Sequence, residues 1–128
     1  MKNCEIMVLG KRTTENEWQP MILTDLESKQ AYVEGYIERI ELPHGIDMWV
    51  NEEYLLLKND VNVLIHGNRE SLPVIVFGNV FLASSNSDAE MTSLSETQFN
   101  WIIEQTEIIS LPSVNNPVFK LNIYEGGL

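Results

Sequence analysis

The side chains able to do covalent chemistry are few and far apart in this sequence. His44 precedes Gly45 in a predicted turn, and His66 stands beside Gly67. No serine lies in the GxSxG elbow that presents a nucleophile to a histidine. No GxGxxG or GxxxxGKS/T segment supplies the glycine loop that holds phosphate groups. The sequence therefore favours a protein that is not an enzyme.

Metal ligands are equally sparse. One cysteine, Cys4, excludes an intrachain disulfide, and one cysteine with two distant histidines cannot build a structural zinc site. His44 with Asp47 resembles a ligand pair, but an exposed turn histidine is the simpler interpretation. Asp88 with Glu90 lies in a loop that lacks the ligand number and the turn glycine of a calcium site. We expect no metal and no cofactor.

Two single residues are candidates for binding. Glu38 shares a strand face with Tyr36 and Ile40, where burial would raise the pKa of its carboxyl. A local hydrogen bond is its simpler role, ahead of general-acid chemistry. Trp101 lies about 200° around a predicted helix from Phe99, and so points away from the core-facing side. It either belongs to a partner surface or folds under the loop at 110–116, and the sequence leaves both open.

The charge balance limits the choice of partners. The chain of 128 residues has 8 Lys and Arg against 19 Asp and Glu, a formal net charge of -11. Direct binding to nucleic acid is not expected, because a grip on phosphates needs clustered Lys and Arg. A solvated acidic surface is the simplest interpretation. The more specific one is an acidic face that docks onto a basic partner or imitates nucleic acid.

We expect neither a signal peptide nor a membrane-spanning segment. Only a few apolar residues precede Gly10 and Lys11, too few for the apolar core of a signal peptide. No later apolar run approaches the ~20 residues needed to cross a bilayer. Together with the single cysteine, these features predict a cytoplasmic protein.

Capping residues predict three helices, near 25–33, near 52–58 and at about 96–107. Thr24 has capping-box spacing for the first, and Gly35 is the expected left-handed residue that ends it. Asn51 caps the second, with Glu52 and Glu53 in its first turn. Ser95, with a glutamine three residues later, caps the third, whose apolar face includes Phe99, Ile102, Ile103 and Thr106.

Alternating apolar residues predict the strands. Segments 4–9 and 18–23 form one hairpin, and 36–42 and 46–50 form another around Pro43, His44 and Gly45. The longest apolar run, at 73–83, is the expected central strand, with a bulge at Gly78-Asn79. The segment at 119–123 is the last strand. Together these elements predict one α+β domain over residues 1–128, with a mostly antiparallel sheet and the 96–107 helix packed on it.

Several short blocks, in order and spacing, resemble a family of small uncharacterised proteins carried by phages, plasmids and conjugative elements. The blocks, which fall within residues 32–104, are Gly35-Tyr36-Ile37-Glu38, Val50-Asn51-Glu52-Glu53, Lys58-Asn59, Ile75-Val76-Phe77-Gly78-Asn79-Val80 and Thr92-Ser93-Leu94-Ser95-Glu96.

The resemblance implies a mobile-element origin, an α+β fold and no known active site. Glu52, Glu53 and Asn59 are the matched polar positions, for which helix capping and turn formation are the simpler explanation. The chain departs from the family at Tyr54, where a glycine is usual, and at Asn59-Asp60-Val61-Asn62, where a basic segment is usual. A ligand that needs those bases is therefore not implied.

Taken together, the sequence predicts a non-catalytic accessory protein that binds a host or element protein with a basic surface, in a regulatory or counter-defence role. The binding residues we expect are Tyr36, Glu38, Asn51, Glu52, Glu53, Asn59 and Trp101. The alternative is a small-ligand binder that sequesters a nucleotide, with Tyr36 or Trp101 stacking on a base. A carboxylate hydrolase built from Glu38, Glu52 and Glu53 is a third hypothesis. The oligomeric state is left open.

Overall fold

The computed structural model describes residues 5–53, 55, 60–67 and 72–123. Ten strands and two α-helices are assigned within these ranges. The strands are β1 Ile6–Lys11, β2 Gln19–Leu23, β3 Ile37–Glu41, β4 Ile46–Asn51, β5 Val61–His66, β6 Val74–Phe77, β7 Val80–Ser85, β8 Met91–Thr92, β9 Thr106–Ile109 and β10 Val118–Asn122. The helices are α1 Leu26–Val33 and α2 Glu96–Gln105, and a single 3-10 turn covers Pro43–Gly45.

The strands form two sheets. The first has six strands in the order β2-β1-β7-β4-β3, with β8 paired to β7. The second has four strands in the order β6-β5-β10-β9. All pairs are antiparallel except β5 with β10, which places Val63 opposite Phe119 and Ile65 opposite Leu121. No helix in the described ranges is long and apolar enough to cross a membrane.

The main core lies between the two sheets. Leu9, Met48 and Leu82 of the first sheet cluster with Phe119 and other apolar residues of the second, and Ile102 of α2 joins them. Alternate residues of the first sheet point the other way, where α1 covers them. There Tyr32 and Val33 of α1 pack against Val8 and Phe81.

A buried lysine joins the two sheets. Lys11 at the end of β1 is fully buried. Its ammonium group donates hydrogen bonds to Asn62 Oδ1 of β5, to the Pro117 oxygen at 3.0 Å and to the Arg12 oxygen at 3.3 Å. It also lies 4.6 Å from the centre of the Phe119 ring. The side-chain amide of Asn62 donates in return to the Lys11 oxygen at 3.0 Å, so the link is reciprocal.

The predicted α+β class with a single sheet is wrong. The described residues are 45% strand and 20% helix, arranged in two sheets with two helices. The main cause is the apolar run at 73–83, which is two strands rather than one. Gly78, with a φ of 85°, turns the chain between them. As a result β6 pairs in the second sheet and β7 in the first.

The predicted helices near 25–33 and 96–107 are present with altered ends. Asp25, rather than Thr24, caps α1 by accepting from Ser28 N at 2.8 Å. The helix α2 ends at Gln105, two residues early, because the chain enters β9 at Thr106. The helix predicted at 52–58 lies largely outside the described residues.

Candidate functional site

Four of the sequence-predicted binding residues line one cleft, at the end of α1. We call it the Tyr36 cleft. Its volume is about 380 Å³, and its lining residues are Gln30, Glu34, Gly35, Tyr36, Asn51, Glu52 and Glu53. They come from α1, from the connection to β3 and from the turn that follows β4. The cleft therefore joins two of the sequence blocks that are far apart in the chain.

The end of α1 is built around a strained residue. The Glu34 N–H donates to the Ala31 oxygen, and the Gly35 N–H donates to the Gln30 oxygen at 3.0 Å. A helix end with these two hydrogen bonds needs a residue in the left-handed conformation. Glu34 adopts it, with a φ of 64° and a ψ of 39°. The prediction that Gly35 is the left-handed residue is wrong. A glutamate held here costs conformational energy, a feature common at functional sites.

Asn51 connects the two walls of the cleft by hydrogen bonds. Only 6% of its surface is exposed. Its amide nitrogen donates to the Val33 oxygen at 3.2 Å and to the Glu34 oxygen at 3.1 Å, while its Oδ1 accepts from Glu53 N at 2.8 Å. One side chain thus holds the end of α1 and the turn after β4 in fixed positions.

Tyr36 presents its ring at the mouth of the cleft. The backbone of Tyr36 is held in place, because Glu52 N donates to the Tyr36 oxygen at 2.8 Å. The side chain itself is 67% exposed. An exposed tyrosine on a fixed backbone offers a π-face and a hydroxyl to a ligand at low entropic cost.

The electrostatics of the cleft favour a cation. The lining residues include the carboxylates of Glu34, Glu52 and Glu53 and no lysine or arginine. The negative end of the α1 dipole points to the same place, and the last turn of α1 has no basic residue. A side-chain ammonium or guanidinium could therefore pair with the carboxylates and rest on the Tyr36 ring.

The arrangement is not that of a metal centre. Within the described ranges, no group of three His, Cys, Asp or Glu side chains is placed to hold a metal ion.

The other predicted binding residues lie elsewhere. Glu38 does point to the same side of β3 as Ile40, but it is exposed because β3 is at the edge of the first sheet. The burial that strand alternation suggested for Glu38 is therefore not present. Glu38 also does not line the Tyr36 cleft with Glu52 and Glu53. Asn59 lies outside the described residues.

Trp101 belongs to a second cavity. It is half-buried, and its ring meets that of His44 edge-on at 4.9 Å. Neither prediction for Trp101 describes this contact with the turn before β4. The cavity is about 520 Å³, and its polar lining includes Ser84, Ser93 and Gln98. Gln98 fixes one wall, since its Nε2 donates to the His44 oxygen at 2.8 Å and to Ser84 Oγ at 2.9 Å.

The predicted binding residues omit three members of the Tyr36 cleft, Gln30, Glu34 and Gly35, of which Gly35 was named only as part of a sequence block. Glu34 stands directly before the Gly35-Tyr36 block, so its position beside that block was an available signal. Gln30 carries no such signal, because its place in the cleft depends on where α1 packs.

The comparisons with known proteins place the chain in a family. The family described as Domain of unknown function (DUF3846) matches residues 6–107, and the chain therefore belongs to it. The match includes the whole Tyr36 cleft. It confirms the expected family of unknown function and says nothing of phages, plasmids or conjugative elements. No curated protein and no solved structure matches the chain.

Proposed function

We propose that this protein is a non-catalytic binding protein whose Tyr36 cleft takes a lysine or arginine side chain of a basic protein partner. The observation that carries the proposal is the composition of the cleft. Three carboxylates and one exposed aromatic ring surround a concave space that has no cationic lining residue. The net charge of -11 supports it, because long-range attraction would bring a basic surface to this protein faster.

The energies expected of such a cleft are modest for each contact. A cation resting on an exposed aromatic ring contributes about 0.5–1 kcal/mol. An exposed ion pair contributes about 0.2–1 kcal/mol and weakens with salt. The rigid frame around Asn51 reduces the entropy lost on binding, so several weak contacts can add up to specificity for one cationic side chain.

The biological setting follows from the sequence blocks. In this proposal the protein is a cytoplasmic accessory protein of a mobile element. Its basic partner belongs to the host or to the element, and binding regulates or blocks a defence or DNA-processing machine. Membership of a family without an assigned activity is compatible with this setting and does not select it.

The proposal is tested by titrating the ¹⁵N-labelled protein with the peptides GGRGG and GGEGG. We expect GGRGG, and not GGEGG, to shift the amide resonances of Tyr36, Glu52 and Glu53. The double variant Glu52→Gln/Glu53→Gln should lose these shifts. The matched control Asp88→Asn/Glu90→Gln, which changes the net charge equally in an exposed loop, should keep them. Shifts spread evenly over all acidic surfaces would refute a specific cleft.

A second candidate function is the binding of a small ligand such as a nucleotide in the Trp101 cavity. Its volume of about 520 Å³ and the combination of an indole ring with hydroxyl groups favour it. A nucleotide at a hundredfold excess over its Kd should raise the free energy of unfolding by about 2.7 kcal/mol. Thermal-shift measurements with a nucleotide panel test this, and Trp101→Phe should reduce any shift. The absence of a shift throughout the panel would remove this candidate.

A further inference from the structure

A groove at the edge of the second sheet exposes apolar side chains away from the Tyr36 cleft. We call it the β9 groove. Its volume is about 230 Å³, and the rings of Trp18 and Phe119 line it. Ile103 of α2 and Ile108 of β9 also line it, and they are 46% and 60% exposed. Apolar side chains gathered at a concave surface are typical of an interaction site.

The groove is preformed. Trp18 Nε1 donates to Thr106 Oγ1 at 2.9 Å, and Thr106 Oγ1 donates to the Ile102 oxygen at 2.7 Å. The Trp18 ring meets the Phe119 ring edge-on, with 5.1 Å between centroids. These contacts fix the lining, so a partner would not have to order it on binding.

The groove runs beside an open strand edge. In the order β6-β5-β10-β9, β9 is the last strand that the described residues form on that side. Ile108 is opposite Phe119 of β10, so both side chains point to the groove side of the sheet. Alternate residues of an edge strand direct N–H and C=O groups outward, where an extended peptide can pair with them.

The charges of the groove and of the whole chain indicate which kind of segment binds in the groove. Glu17 is the one charged residue among those that line the groove. A second copy of this chain would bring another net charge of -11 to the contact and would be repelled. A segment with basic residues on either side of an apolar centre would be attracted instead.

We propose that the β9 groove binds an extended segment of the protein partner, with apolar residues against Ile103 and Ile108 and with flanking lysine or arginine. The segment adds to the second sheet along β9. The inference rests on the proposed function only for the basic character of the partner. It gives that partner a second, apolar contact, which explains how a pair of weakly interacting charged surfaces could reach a stable complex.

The probe is the peptide KKIVIKK, titrated into the ¹⁵N-labelled full chain, with EEIVIEE and KKSTSKK as controls. We expect KKIVIKK alone to shift the amide resonances of Thr106–Ile109. Equal shifts with EEIVIEE would overturn the charge requirement, and equal shifts with KKSTSKK would overturn the apolar one. Shifts confined to Tyr36 and its neighbours would overturn the inference while leaving the proposed function standing.

Two matched variants complete the test. Ile108→Thr should weaken KKIVIKK binding by about fivefold, the loss expected for one apolar side chain. Ile22→Thr makes the same change at a 51% exposed isoleucine on β2, the edge strand of the other sheet, and should leave the affinity unchanged. Equal affinities for the two variants would overturn the inference. A dimer in sedimentation that Ile108→Thr dissolves would also overturn it, because the occupant would then be a second copy.

Discussion

Gly35 lies so close to the side-chain amide of Asn51 that a Cβ atom at position 35 would overlap it. The backbone of Gly35 is not in the left-handed region. Glycine is therefore required at position 35 for lack of space, because the space is occupied by the Asn51 side chain, which ties the end of α1 to the turn after β4. This pair brings the Gly35-Tyr36 and Asn51-Glu52-Glu53 blocks into contact at the Tyr36 cleft.

Gly35→Ala should destabilise the protein. The new methyl group displaces the Asn51 amide from the Val33 and Glu34 oxygens, and we expect a loss of about 1–3 kcal/mol in the free energy of unfolding. Urea denaturation measures it. Gly67→Ala is the control, because among the described residues no atom outside its chain neighbours lies within 4 Å of a Cβ added there. Equal stability of the two variants would show that Asn51 can move aside without cost.

Glu34→Gly should have opposite effects on stability and on binding. Glycine relieves the left-handed strain at position 34, so the free energy of unfolding should rise by up to about 1 kcal/mol. The same change removes a carboxylate from the cleft and should weaken binding of GGRGG. Glu34→Gln removes the charge but keeps the left-handed strain of the backbone. It should weaken binding of GGRGG without raising the free energy of unfolding. Denaturation and titration of both variants separate the two effects, and unchanged binding in both would remove Glu34 from the cation site.

Lys11 should make stability depend on pH in the alkaline range. Burial lowers the pKa of Lys11 from 10.5 to about 8, while the Glu15 carboxylate acts in the opposite direction. Between pH 8 and 10.5 the unfolded chain therefore binds more protons at this site than the folded one. The free energy of unfolding should then rise with pH across that window, by up to about 3 kcal/mol.

The comparison that isolates this effect is the wild type against Lys11→Met. The free energies of unfolding of both proteins are measured in urea below pH 8 and near pH 10.5. The value for the wild type minus the value for Lys11→Met should be larger near pH 10.5 than below pH 8. Lys29→Met, which removes a lysine from the surface helix α1, controls for net charge. A difference that stays constant with pH would mean that folding leaves the pKa of Lys11 unchanged.

Local signals in the sequence were the most informative for the fold. The capping box of α2 is present, with Ser95 N donating to Gln98 Oε1 at 2.9 Å and Gln98 N donating to Ser95 Oγ at 3.1 Å. Both predicted hairpins are also present. These features depend on residues close together in the chain, whose capping and turn chemistry is independent of the rest of the fold.

Long-range pairing could not be predicted. The second sheet depends on the parallel pairing of β5 with β10, and nothing in either segment specifies the other. Ile103 illustrates the consequence. Helical spacing assigned it to the core face, but it is 46% exposed and lines the β9 groove. The hydrogen bonds of Asn51 in the cleft could not be predicted for the same reason, because their acceptors at the end of α1 lie 17 and 18 residues away in the chain.

The most direct test of the central claim is photo-crosslinking from position 36 in the full chain. The variant Tyr36→p-benzoylphenylalanine is exposed to a cell lysate at low and at high salt, and the crosslinked peptides are sequenced. We predict that they contain lysine or arginine next to the crosslink. We also predict that their yield falls at high salt and with Glu52→Gln/Glu53→Gln, but not with Asp88→Asn/Glu90→Gln. Crosslinks to acidic or uncharged segments, in a yield that neither salt nor the cleft variant changes, would contradict the claim.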